Sequence, residues 1–244
     1  MRLFGLIGYP LSHSFSKNYF DKKFISEGLT DCRFENYPVK TIDDLPKLVS
    51  INPELEGLAV TIPYKQAVLR YVNDASNIPK GLSACNCLKI SNQKIFGFNT
   101  DYIGFEKSLT PILKEDHSKA LVLGNGGATA SVVFVLKKLG IEYKIVSRKI
   151  HNDSLLTYID LDEKIITEST LIINTTPLGM FPDSRSYPDI PYRFISKQHL
   201  LYDLIYNPAK TNFLKKGEER GAVIKNGEEM LILQAEENWR IWNS

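Results

Sequence analysis

The stretch that most constrains this chain runs from Lys119 to Leu139, where an apolar run, a glycine-rich turn and a helical pattern follow one another without a gap. Ala120-Leu121-Val122-Leu123 is continuously apolar, as a strand covered on both sheet faces must be. Gly124-Asn125-Gly126-Gly127 follows, and Ala128 opens the helical pattern. A strand that passes through glycines into a helix is the setting of a dinucleotide-binding fingerprint. The glycines permit a tight turn, backbone N–H groups approach a pyrophosphate, and the helix N-terminus adds partial positive charge. Thr129 stands in the third glycine's place, so the motif alone leaves a purely structural glycine turn open. The next strand supplies an independent clue. NAD-binding versions carry an acid there for the ribose 2′-hydroxyl, whereas this chain has Ser147-Arg148-Lys149. A guanidinium and an ammonium would hold a 2′-phosphate that a carboxylate repels, which favours NADP over NAD against the alternative of a solvated basic turn.

The rest of the chain alternates in the same way, which is how α/β folds read. Strand-like runs are expected at 3–8, 33–39, 57–61, 85–90, 95–98, 143–146, 170–174, 200–204 and 222–224. Helical spacing recurs over Phe15, Tyr19, Phe20, Phe24 and Ile25, again around 45–49, and from Glu228 to Trp242. Pro63 suits the first turn of a helix reaching about Tyr71. Ser91-Asn92-Gln93-Lys94 reads as a hairpin turn. Residues 181–191, with three prolines and two aspartates, read as an irregular loop. Between Lys149 and Thr170 there is room for one short helix. The pattern predicts two α/β domains separated by a cleft: residues 1–100 completed by the helix 228–244, and a Rossmann-like domain over 101–227.

Composition narrows the function classes. The 244 residues are 43% hydrophobic and 24% charged, a balance that supplies a core without staples and excludes disorder as the main state. A net charge of +2 gives no general affinity for nucleic acid or acidic membranes. Cys32, Cys85 and Cys87 cannot pair completely and lack metal-site spacing, so no metal is expected. The apolar run at the start is too short for a signal peptide, and no stretch approaches a membrane span, so a cytoplasmic location is expected.

Eight motifs, in order along nearly the whole chain, resemble those of the shikimate dehydrogenases. They are Gly8-Tyr9-Pro10-Leu11-Ser12-His13-Ser14-Phe15-Ser16, Val60-Thr61-Ile62-Pro63-Tyr64-Lys65, and Asn86 within Ala84–Leu88. Then come Gly97-Phe98-Asn99-Thr100-Asp101-Tyr102-Ile103-Gly104, the glycine loop, Asn174-Thr175-Thr176-Pro177-Leu178-Gly179-Met180, and Asp203-Leu204-Ile205-Tyr206-Asn207-Pro208. The tail from Asn226-Gly227 to Gln234-Ala235 completes the series. The resemblance implies a two-domain enzyme that interconverts 3-dehydroshikimate and shikimate with NADP in the chorismate pathway. It makes Lys65 and Asp101 the catalytic pair. It assigns Ser14 and Ser16 to the substrate carboxylate, and Thr61, Asn86, Tyr206 and Gln234 to the rest of the substrate. Gly124, Asn125, Gly126, Gly127, Ala128, Ser147, Arg148 and Lys149 would hold NADP, with Thr176, Met180 and Gly227 near the nicotinamide.

The residue types suit that chemistry. Two serines two apart where a helix begins let hydroxyls and helix N–H groups converge on an anion. Hydride arriving at a ketone carbon leaves an alkoxide-like oxygen, which a lysine ammonium can protonate. Asp101 beside Lys65 favours its charged form and is expected also to cap the following helix. Trp239 and Trp242 are expected to pack rather than stack on a ligand. Asn125, Ser131, Ser147, Lys149 and Asn226 depart from the family's usual residues without removing a catalytic group. Two other readings stay open: a quinate/shikimate dehydrogenase that also uses NAD, and a catalytically weak binding paralogue. Whether the chain is a monomer or a homodimer is left open as well.

Overall fold

The computed structural model describes residues 1–11, 15–148 and 156–244. These fall into two compact units, residues 1–103 with 234–244, and residues 104–233. The first contains β1 (Arg2–Ile7), α1 (Phe15–Ser26), β2 (Cys32–Tyr37), α2 (Leu45–Ile51), β3 (Leu55–Val60), β4 (Cys87–Ser91) and β5 (Lys94–Phe98). The first division falls inside α3 (Asp101–Leu109). The second unit carries β6 (Lys119–Leu123), α4 (Gly127–Lys138), β7 (Glu142–Ser147), β8 (Leu156–Thr157), α5 (Glu163–Glu168), β9 (Leu171–Asn174), β10 (Leu200–Asp203), α6 (Asn212–Glu218) and β11 (Val223–Lys225). The second division falls inside the last helix, α7 (Glu228–Trp242).

The first sheet has the order β2-β1-β3-β4-β5, with β1 parallel to β2 and β3, and with β4 and β5 added as an antiparallel hairpin. The hairpin turn places Asn92 and Gln93 at φ of 50° and 61°, the left-handed pair that a two-residue connection needs to match strand twist. Both faces of the sheet are buried, which explains why its strands read as apolar runs rather than alternating ones. Leu3 and Ile7 join Leu45, Leu58 and Val68 on one side. Phe4 and Leu6 join Phe20, Phe24, Phe34 and Trp242 on the other. Trp239 and Trp242 pack as expected, their rings 5.3 and 5.1 Å from that of Phe4. Trp242 also donates from its indole nitrogen to the Leu88 carbonyl at 2.9 Å, which anchors the end of α7 across the sheet.

The second sheet is wholly parallel, in the order β11-β10-β9-β6-β7-β8. Read from its other edge, this is the doubly wound dinucleotide-binding order, and the chain reverses direction between β6 and β9. Ligands of such sheets bind beyond the carboxyl ends of the strands at that switch point. The loops after β6 and β9 are the Gly124–Gly127 turn and Thr175-Thr176.

Three local expectations are corrected. The helix after Pro63 is only a 3-10 turn at Ala67–Tyr71. The Lys65 carbonyl accepts instead from the Cys85 amide at 2.7 Å, so the segment is drawn toward the start of the β4 hairpin and no helical ladder develops. Asp101 does not cap α3: Asn99 does, its Oδ1 accepting from the Tyr102 amide. The interval before β9 holds more than one short helix, because β8 adds an edge strand beside β7. No helix among the described residues is long and apolar enough to cross a membrane.

Candidate active site

The first unit gathers four of the expected residues into one hydrogen-bonded group. Lys65 Nζ lies 2.7 Å from Asp101 Oδ2. Lys65 is set by its neighbours: Tyr64 is buried with its hydroxyl donating to the Val39 carbonyl, and the Cys85 amide holds the Lys65 carbonyl. The lysine side chain remains 24% exposed, enough to exchange a proton with solvent, while Asp101 is 11% exposed. Asn86, between β3 and β5, has both backbone groups bonded across the sheet: its amide to Phe98 and its carbonyl to Val60. Its side-chain Nδ2 donates to Asp101 Oδ1 at 3.0 Å and faces Gln234 Oε1 at 3.3 Å. Both oxygens of Asp101 therefore accept, one from an ammonium and one from an amide, the arrangement of an ionised carboxylate.

Ser16 lies half-buried in the first turn of α1, and Thr61 follows β3, its amide donating to the Ile7 carbonyl. Neither joins the hydrogen-bonded group among the described residues. Ser14 lies outside the described residues. Tyr206 is half-buried in the second unit, after β10. Sequence reasoning passed over Thr100 and Asn238, both fully buried and both bonded to this group. A signal for them existed: Asn238 follows Gln234 by one helical turn, and Thr100 precedes Asp101. Cys85 and Cys87 are inert core thiols, since burial pushes the Cys85 thiol up to about 12 and raises that of Cys87 as well.

In the second unit the glycine loop occupies the switch point. Gly124 sits at φ +111°, and a side chain there would meet Thr175 Oγ1 at 2.8 Å and Thr176 Cγ2 at 2.9 Å. Only glycine suits that position on both counts. Thr129 knits the loop where a third glycine would otherwise pack. Its hydroxyl accepts from the Gly126 amide at 3.0 Å and lies 2.9 Å from Thr175 Oγ1. Asn125, Gly126 and Gly127 are exposed, and a Cβ on Gly126 or Gly127 would meet open space. The first-turn amides of α4, from Gly127 and Ala128, have no carbonyl within the helix to bond. Ser147 is buried at the end of β7 and Arg148 exposed just beyond it. Lys149 lies outside the described residues.

The loops after β9 and β10 are tied by one buried knot. Asn174 Oδ1 accepts from the Thr176 amide and hydroxyl, and its Nδ2 donates to Asp203 Oδ1 at 3.0 Å. Asp203 also accepts from the Ile205 amide and from Thr211 Oγ1. Burial outweighs these three donors and pushes the Asp203 carboxyl up to about 6. Gly227 packs against the backbone of this loop, its amide donating to the Ile205 carbonyl, and a Cβ there would strike the Leu204 carbonyl oxygen. Met180 is exposed on the β9 loop. An exposed glycine loop at a parallel-sheet switch point, with an exposed arginine one strand over, fits a dinucleotide carrying a 2′-phosphate.

Residues 6–88 match the family model of the shikimate dehydrogenase substrate binding domain. A shikimate dehydrogenase (NADP(+)) of Clostridium beijerinckii is 38% identical over 260 residues, covering 99% of this chain and 92% of that protein. The chain belongs to the shikimate dehydrogenase family. Solved structures of the family superpose along its whole length. Shikimate dehydrogenase 1 from Peptoclostridium difficile aligns with a TM-score of 0.84 at 30% identity, covering 100% of this chain and 92% of that one. The Thermus thermophilus shikimate 5-dehydrogenase, solved with NADP(H) and shikimate, aligns at 0.85 and 27% identity, covering 99% and 93%.

Proposed function

We propose that this chain reduces 3-dehydroshikimate to shikimate, reversibly, with NADPH as hydride donor, as a step toward chorismate. The observation that carries this reading is the Lys65–Asp101 ion pair at 2.7 Å, backed by the amides of Asn86 and Gln234. When bound, the nicotinamide supplies a hydride to the ketone carbon. Lys65 does the rest of the chemistry. As the carbonyl π pair moves onto oxygen, the ammonium gives that oxygen a proton, and the alcohol forms. The lysine is left neutral beside the Asp101 carboxylate and is reprotonated from solvent through its partly exposed side chain. In the reverse direction neutral Lys65 removes the hydroxyl proton. Asp101 holds Nζ in place.

The remaining assignments follow the same reading. Ser14 and Ser16 take the ring carboxylate, while Thr61, Asn86, Tyr206 and Gln234 take hydroxyls. Gly124, Asn125, Gly126, Gly127 and Ala128 cradle the pyrophosphate. Ser147, Arg148 and Lys149 hold the 2′-phosphate end, and Thr176, Met180 and Gly227 the nicotinamide end. We place the enzyme in the cytoplasm, since three unpaired cysteines suit a reducing compartment.

Lys65→Ala tests the reading. Turnover of shikimate with NADP should fall by about 10²–10⁴-fold, with NADPH affinity measured by fluorescence titration unchanged. Turnover near that of the parent enzyme would remove Lys65 from the chemistry.

A further inference from the structure

We propose that Asn238 is a positioning residue that, with Thr100, dictates which end of the Gln234 amide is offered to the substrate. The inference rests on the reading of Gln234 as a substrate ligand and adds a residue to it.

Four buried side chains form a closed ring: Asn86, Thr100, Asn238 and Gln234, at 3%, 0%, 1% and 7% exposure. The direction of every bond in it follows from one backbone group. The Thr100 amide can only donate, and it lies 2.6 Å from an Asn86 side-chain atom, which must therefore be the oxygen. That settles the amide orientation, which side-chain shape alone leaves ambiguous. Asn86 Nδ2 consequently faces the ring and donates to Thr100 Oγ1 at 2.9 Å. Having accepted there, the threonine hydroxyl has one hydrogen left, and it goes to Asn238 Oδ1 at 2.7 Å. Asn238 must then present its Nδ2 to Gln234, whose Oε1 lies 3.4 Å away. The same Oε1 faces Asn86 Nδ2 at 3.3 Å.

Gln234 is thus met by the Asn238 N–H, because the two hydrogens of Asn86 Nδ2 already go to Thr100 Oγ1 and Asp101 Oδ1. Its oxygen answers that donor, so its Nε2 hydrogens are directed out of the ring. A reversed amide would set N–H against N–H inside a buried site, where mispaired polar groups are costly. The consequence is a polarity for recognition. Asp101 offers an acceptor, whereas Gln234 offers donors, so the group that meets Gln234 must present a lone pair. Asn238 acts without touching the substrate, one helical turn from the residue it orients.

Asn238→Asp isolates this role. Its carboxylate still accepts from Thr100, but it turns an oxygen toward Gln234 and favours the reversed amide. With the full enzyme we expect kcat/KM for shikimate to fall about tenfold, chiefly through KM, while KM for NADP stays within about twofold. In a Gln234→Ala background the same substitution should have an effect below about twofold, because there is no amide left to orient. N238S serves if N238D does not fold. Its hydroxyl also accepts from Thr100 but is too short to hold Gln234, and a loss of about threefold to tenfold is expected. Parent-like kcat/KM in the position-238 variant overturns the proposal. So does an equal loss in both backgrounds, which would make Asn238 merely structural. Parent-like kcat/KM in Q234A itself would instead remove Gln234 from the substrate site, and the proposal would fall with that assignment.

Discussion

The two units prepare for their ligands by opposite means. In the first, the polar groups around Lys65 are side chains, buried and already paired, with the sense of each bond passed from Thr100 through Asn86 and Asn238 to Gln234. In the second, the cradle at Gly126 and Gly127 is exposed backbone with open space above it. A polyhydroxylated ring has to be told from its isomers, which takes donors and acceptors fixed in orientation before it arrives. A pyrophosphate is an anion of one kind, and a helix terminus with unsatisfied amides suffices. Under the proposed function, specificity in the first unit resides in side-chain polarity, and in the second Arg148, beyond the glycine loop, would carry it.

The contrast can be tested where it is most exposed. Arg148→Ala should raise KM for NADPH by about 10–100-fold while leaving that for NADH nearly unchanged, measured by initial rates with both cofactors. Equal losses with both would move the discrimination back into the cradle itself. The assay run with quinate beside shikimate reads the first unit's selectivity in the same experiment.

Asp203 sharpens the comparison, because it is the second unit's own buried polar knot. Its carboxyl titrates near 6 when folded, above the usual carboxylate range, so the folded state binds the extra proton between about pH 4 and 6. Stability contributed at this position is therefore present below the unfolded value and is lost as pH rises through 6, by about 2–3 kcal/mol. Asp203→Asn cannot titrate and should remove that decline. Denaturant unfolding of parent and variant at pH 4.0 and 6.5 checks it, and parallel pH dependences would place the knot's titration outside this window.

The smallest effect concerns Ser131. Its hydroxyl on α4 is buried without a hydrogen-bond partner among the described residues. Ser131→Ala should stabilise the protein by about 1 kcal/mol, a rise in Tm of about 2–4 °C by calorimetry. A lower Tm would mean that the hydroxyl has a partner in solution, and that the second unit's core is as fully paired as the first unit's site.

Much of the molecule was legible beforehand for local reasons. Apolar runs such as Ala120–Leu123 form strands because both faces of each sheet are covered. Gly124 forms its turn because a Cβ would collide with Thr175 and Thr176. The segment after Pro63 departs from its local pattern because its decisive bond, from the Cys85 amide to the Lys65 carbonyl, joins residues that no local pattern links. The edge strand β8 is only two residues long, and periodicity cannot register so short a segment.

The sequence by itself determined the α/β class, the order of the family's motifs and the residue types that meet at the chemistry, because these depend on spacing along the chain. Tertiary structure alone decided how those residues are oriented. Thr100 and Asn238 are 138 positions apart, and so are matched only once β5 and α7 share a core. The direction of a hydrogen bond belongs to the pair and is written in neither residue, which is why Gln234 could be picked out from the chain while the end it offers could not.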